Sequence, residues 1–125
     1  GNMERDFTFV TDLVEAMRLL LDIIPERVTS DLINDVDSLS PVAPWRVVNI
    51  GNSNAVKLTE FIDAIEKATG RLSVRNLMPM QAGDVHSTWA DASLLKSLTG
   101  YSPKTNILDG IKEFVDWFKE YYDYT

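Results

Sequence analysis

Apolar residues recur at helical spacing in three separate stretches of this 125-residue chain, and only two short runs between them are rich in β-branched side chains. Leu13, Val14, Met17, Leu20, Leu21 and Ile24 predict a helix over 12–24, with Thr11 or Asp12 as its cap and Pro25 as its stop. Leu58, Phe61, Ile62, Ile65 and Ala68 line one face of a second helix, Glu60, Asp63, Glu66 and Lys67 line the other, and Gly70 ends it. Asp91 is placed to cap a short helix that stops at Gly100. The last helix carries Ile107, Ile111, Phe114, Val115, Phe118, Tyr121 and Tyr122 on its apolar side, with Thr105 or Asn106 as cap. Between these helices, Trp45 to Ile50 and Ser73 to Met78 read as short strands. The order is helix, strand, helix, strand, helix, helix, a small α/β unit of short strands packed with about four helices. Residues 26–44, rich in Ser, Thr, Asp, Asn and Pro, read as a long surface loop and as the segment most prone to disorder.

Charge narrows the partners. Nineteen acidic against 12 basic residues give a formal charge of −7, which repels nucleic-acid backbones and anionic lipid surfaces. The arginines are scattered among acidic neighbours, so no basic stripe forms. The longest apolar run, Leu19 to Ile24, is broken by Asp22 and far too short to span a bilayer. With no cysteine there is neither a disulfide nor a thiolate metal site, and a reducing cytoplasm is the expected compartment. His86 is the sole histidine, which argues against a metal site.

Two constellations can carry chemistry. The first is Arg5-Asp6-Phe7-Thr8-Phe9-Val10-Thr11-Asp12, one cation and two carboxylates around an aromatic strand that leads into the first helix. A guanidinium offers paired donors that match a diphosphate, although taken alone Arg5 is more simply a surface arginine paired with Asp6 or Glu4. Asp6 and Asp12 suit structural roles in turn and helix-cap hydrogen bonds. The other constellation is Met78-Pro79-Met80-Gln81-Ala82-Gly83-Asp84-Val85 followed by Thr88-Trp89-Ala90-Asp91, which by itself is only a turn-bearing loop.

Together these motifs resemble the extended short-chain dehydrogenase/reductase family, specifically its nucleotide-sugar epimerases and dehydratases. The stretch from Arg5 to Val14 is similar to the signature Arg-Asp-Phe-Thr-Tyr-Val-x-Asp-(Leu/Ile)-Val. The loop motif resembles the UDP-glucuronate 4-epimerase branch, in which Gln81 stands where many relatives carry arginine. Asn49-Ile50-Gly51 after Trp45 to Val48 is similar to the family's Tyr-Asn-Ile-Gly strand. The resemblance implies that Arg5 contacts the phosphates of UDP and Asp84 holds the ribose hydroxyls. It places Gln81 in the same loop, Leu58 near uracil and Thr88 near the sugar. It also implies that residues 1–125 are one C-terminal substrate-binding domain, lacking the main Rossmann sheet, with roughly two-thirds of the enzyme lying upstream.

In the whole enzyme the resemblance implies NAD-dependent conversion of UDP-glucuronate to UDP-galacturonate, in the service of capsule or lipopolysaccharide synthesis. The residues in hand are expected to bind no NAD. A dinucleotide loop needs closely spaced glycines at a strand-to-helix turn, and glycines 1, 51, 70, 83, 100 and 110 do not supply them. The tyrosine base of the family precedes a lysine by four residues, whereas Thr105 follows Tyr101 and Thr125 follows Tyr121. The chain alone is therefore expected to be non-catalytic. Alternatives are a UDP-glucose/galactose 4-epimerase, a dehydratase, or a free-standing nucleotide-binding or interaction module. Apolar surface bared on the first helix and on Trp45 to Ile50 is expected to make the isolated chain a homo-oligomer.

Overall fold

The structure, a computed structural model, describes residues 1–26 and 37–124. Its elements are β1 (Glu4–Asp6), α1 (Val10–Leu20), β2 (Ala55–Lys57), α2 (Leu58–Thr69), α3 (Ser93–Thr99) and α4 (Ile107–Tyr121). The expected small α/β unit is present, with four helices among the described residues. Its strands lie elsewhere than expected. β1 pairs antiparallel with β2, with Arg5 opposite Val56, and on its other side Glu4 forms a parallel bridge with Ser87.

The segments expected as strands, residues 45–50 and 73–78, join no ladder among the described residues. A segment becomes a strand only when a neighbouring strand pairs with its N–H and C=O groups, and here local backbone bonds of Trp45 with Ala43 and Ser40 and a few side chains take that place. The Ser38 hydroxyl accepts from the Val47 N–H at 3.1 Å. Glu66 Oε1 accepts from both the Ser73 N–H, at 2.9 Å, and the Ser73 hydroxyl, at 2.6 Å. Most of the expected loop at 26–44 lies outside the described residues, although Leu39 and Ser40 are buried. Arg46 is held to Asp37 there by an ion pair at 2.7 Å.

Packing follows the helical stripes of α2 and α4 closely. Ala64, Ile111 and Val115 form a buried cluster, flanked by Phe61, Ile65, Ala68 and Ile107. Phe7, just beyond β1, stacks on Phe61 with ring centroids 4.2 Å apart, which seats the two-stranded sheet against α2. The Asn106 side chain accepts from the Asp109 N–H at 3.0 Å, so of the two candidate caps for α4 it is the one used. Helices α2 and α3 end at Gly70 and Gly100, both with left-handed backbone.

Helix α1 departs from expectation at both ends. It starts at Val10 and stops at Leu20, four residues before Ile24, as the Leu21 N–H closes the last turn on Met17 and Arg18 carbonyls. Neither Thr11 nor Asp12 caps it. Asp12 is buried in its first turn and accepts from the Tyr101 hydroxyl at 2.8 Å, the Thr105 N–H at 2.8 Å and the Lys104 N–H at 3.1 Å. Burial alone would raise the Asp12 pKa, but the hydrogen bonds from Thr105, Tyr101 and Lys104 outweigh it and hold the carboxyl below its ordinary value. Burial and the neighbouring Asp12 push the Tyr101 phenol up to about 12. One carboxylate thus ties α1 to the loop between α3 and α4.

Because the folded pKa of Asp12 is depressed, its contribution is complete above the unfolded value of about 4 and is lost as the pH falls through the folded value. Asp12→Ala is expected to destabilise by about 3 kcal/mol and Tyr101→Phe by about 1 kcal/mol, measured by urea unfolding at pH 7. The deficit of Asp12→Asn relative to the natural chain should narrow below about pH 4.

Candidate functional site

Strand pleating sends Arg5 to one side of β1 and Asp6 to the other. Along the edge of β1 away from β2, residues 86–88 run beside it, with the Glu4 N–H donating to the His86 carbonyl at 3.0 Å and the Thr88 N–H to the Glu4 carbonyl at 3.2 Å. This pairing carries the preceding loop to the guanidinium. Gly83, with φ of 89°, turns the chain, and the Asp84 N–H closes on the Gln81 carbonyl at 3.2 Å. Arg5 Nη2 then meets Asp84 Oδ1 at 2.7 Å, across 79 residues of sequence. The same oxygen accepts from the Val85 N–H at 2.9 Å, and Arg5 Nη1 donates to the Glu4 carbonyl at 2.8 Å.

Arg5 therefore pairs neither with Asp6 nor with the Glu4 carboxylate. The Arg5 and Asp84 side chains keep 24% and 37% of their surface exposed. An ion pair so accessible to water contributes about 0–1 kcal/mol, so it can be exchanged for a ligand at little cost.

On the opposite side, Asp6 Oδ2 accepts from the Ser53 N–H at 3.0 Å and the Ala90 N–H at 3.2 Å. Asp6 is structural, but through long-range ties and not through a local turn. Gly51 lies against the same junction, where a Cβ would come within 2.5 Å of the Ala90 Cβ and 3.0 Å of Asp6 Oδ2. No side chain fits there. Asp6 Oδ1 is buried with no hydrogen-bond partner among the described residues.

Gln81 and Asp84 line an open groove of about 1470 Å³, together with Met3, Leu58, Leu77 and His86. That exceeds the roughly 300–1,000 Å³ of an enclosed small-molecule pocket, because the groove is open to solvent. Leu58 opens α2 with its N–H on the Met3 carbonyl at 2.9 Å, which fixes it next to β1. Thr88 does not line the groove; its backbone is spent on Glu4. Sequence reasoning missed Met3 and His86, both within or beside the two motifs, because neither residue type marks a nucleotide contact by itself.

The outer wall of the groove is the exposed segment 71–80, clamped to α2 by Arg75, which bonds Asp63 at 2.5 Å and Glu66 at 2.7 Å. Hydrogen bonds from Arg75 and Ser73 pull the Glu66 pKa down to about 2, so the clamp stays charged under ordinary conditions. Among the described residues no group of three or more histidine, aspartate or glutamate side chains is placed to hold a metal, and no helix is long and apolar enough to cross a membrane.

A family model described as GDP-mannose 4,6 dehydratase matches residues 1–114. A probable UDP-glucuronate 4-epimerase from Rhizobium meliloti is 42% identical over 125 residues, covering 98% of this chain and 36% of that protein. Protein CapI of Staphylococcus aureus is 44% identical over 124 residues, with the same two coverages of 98% and 36%. The crystal structure of UDP-glucuronic acid 4-epimerase from Bacillus cereus in complex with UDP-glucuronic acid and NAD superimposes with a TM-score of 0.71 at 26% identity, over 98% of this chain and 34% of that one. The chain spans about a third of the length of the curated relatives it matches. It belongs to the GDP-mannose 4,6-dehydratase family of extended short-chain dehydrogenase/reductases and corresponds to the C-terminal region of its members.

Proposed function

We propose that this chain supplies the UDP-binding half of a UDP-glucuronate 4-epimerase. The meeting of Arg5 with Asp84 at 2.7 Å, where Asp84 but not Arg5 lines an open groove, carries the reading. A guanidinium is suited to a diphosphate and a carboxylate to the two hydroxyl donors of a ribose cis-diol, and the two groups stand next to each other as phosphate and ribose do in UDP. Leu58 offers an apolar surface for the base. Gln81, which the resemblance sets where many relatives carry arginine, is neutral, so Arg5 on β1 is the principal phosphate contact, and the glutamine favours the glucuronate branch. Thr88, which the resemblance sets near the sugar, lies outside the groove, and nothing in its contacts supports that role. Relatives named as UDP-glucuronate 4-epimerases, and the Bacillus cereus enzyme in complex with UDP-glucuronic acid and NAD, support this substrate.

NAD belongs to the remainder of the enzyme. The described residues do not fit a dinucleotide, since the strand-to-helix turn from β2 into α2 passes from Lys57 to Leu58 without a glycine. No redox step is therefore assigned to this chain. The partners of the chain in this reading are the UDP-sugar and an N-terminal Rossmann domain, in the reducing cytoplasm that a cysteine-free sequence suits.

The chain alone is expected to bind UDP weakly, at millimolar concentration or above, because a half-built cleft compensates polar groups incompletely. In an NMR titration, Arg5→Ala and Asp84→Ala should each weaken UDP binding about tenfold or more while leaving the unfolding midpoint nearly unchanged. Micromolar binding by the isolated chain would favour a free-standing module. With UDP-glucuronate and added NAD the chain should produce no UDP-galacturonate, and measurable conversion would contradict the division of labour.

The apolar face of α1 supports self-association of the isolated chain. Val14, Met17 and Leu21 are 58%, 55% and 81% exposed, and Trp45 and Val47 lie open in an unladdered segment. Sedimentation at increasing concentration should show a dimer or larger species, and a clean monomer throughout would refute it.

A further inference from the structure

Resting on the UDP reading of this site, we infer that Asp84 also acts as a selectivity residue, holding Arg5 closed against anions that bring no ribose. Both terminal nitrogens of Arg5 are engaged in the structure, Nη1 on the Glu4 carbonyl at 2.8 Å and Nη2 on Asp84 at 2.7 Å. A phosphate approaching the exposed edge of the guanidinium must displace a carboxylate and then sit beside it. Like charges at that distance repel.

The geometry holds Asp84 in the blocking position. Its Oδ1 is fixed from behind by the Val85 N–H at 2.9 Å, and the loop that carries it is pinned by the pairing of residues 86–88 with β1. The carboxylate is thus a built-in occupant of the phosphate subsite. A nucleoside diphosphate can exchange it, because the ribose gives Asp84 two hydroxyl donors in return for the guanidinium it surrenders. Inorganic phosphate and pyrophosphate carry P–OH groups but not the vicinal pair of hydroxyls that a ribose turns to Asp84. Ribose and phosphate recognition are thereby coupled through one ion pair, and the coupling filters UDP from free phosphates.

The test uses the 125-residue chain with UDP and with pyrophosphate as separate probes, titrated by NMR in metal-free buffer. Asp84→Ala and Asp84→Asn are both expected to tighten pyrophosphate binding about fivefold, the factor equivalent to releasing an exposed ion pair, while weakening UDP about tenfold or more. Unchanged or weaker pyrophosphate binding in both variants would overturn the inference, as would a gain for pyrophosphate with no loss for UDP. Arg5→Ala separates this from the underlying reading. If that substitution weakens neither probe, Arg5 is not the phosphate contact and the UDP assignment fails together with the filter. If it weakens both while the Asp84 variants do not favour pyrophosphate, the assignment stands and only the filter is wrong.

Discussion

A strand of three residues, hydrogen-bonded along both edges, organises the site. β1 takes β2 on one side and residues 86–88 on the other, and so draws together parts of the chain that lie about 50 and 80 residues downstream. Its pleat then divides labour by alternation, with Arg5 facing the Gly83-Asp84 loop and Asp6 facing the Gly51 and Ala90 junction. Slipping the register by one residue would exchange those faces and bury the guanidinium. The exposed ion pair contributes little to stability, so its position depends on the backbone pairing behind it.

Stability rests on two unequal supports. The α2–α4 contact is a conventional apolar cluster around Ala64, Ile111 and Val115, reached by the aromatic stack of Phe7 on Phe61. The α1–α3 side has Leu95 and Ala16 fully buried, but much of the rest of α1 faces water, and the buried Asp12 carboxylate supplies directional bonds where apolar contact is thin. A carboxylate accepting three hydrogen bonds is well compensated when intact and costly when any donor is orphaned.

Much of this was legible in sequence, for reasons tied to particular residues. The stripes of α2 and α4, the Asn106 cap and the stops at Gly70 and Gly100 are local signals, each decided within a turn of helix. The approach of Arg5 to Asp84 was legible only through resemblance, since nothing local links residues 79 positions apart. β2 was hidden because Ala55–Lys57 is too short to show alternation and runs directly into a helix. Residues 45–50 and 73–78 have strand-like composition, yet pairing depends on a neighbouring backbone, which composition does not encode. Asp12 resembles a helix cap in sequence because a carboxylate near a helix start reads the same whether it turns to its own N–H groups or to Tyr101 and Thr105. Only the resemblance sets Thr88 near a sugar; in the fold its N–H bonds the Glu4 carbonyl.

If the Arg5–Asp84 contact marks where phosphate and ribose of one nucleotide are held, a crystal structure of the chain soaked with UDP tests it most directly. The expected result is a phosphate oxygen within hydrogen-bonding distance of the Arg5 guanidinium, Asp84 turned to the ribose hydroxyls, and the ion pair opened. UDP bound elsewhere, or bound with the Arg5–Asp84 pair intact, would contradict it.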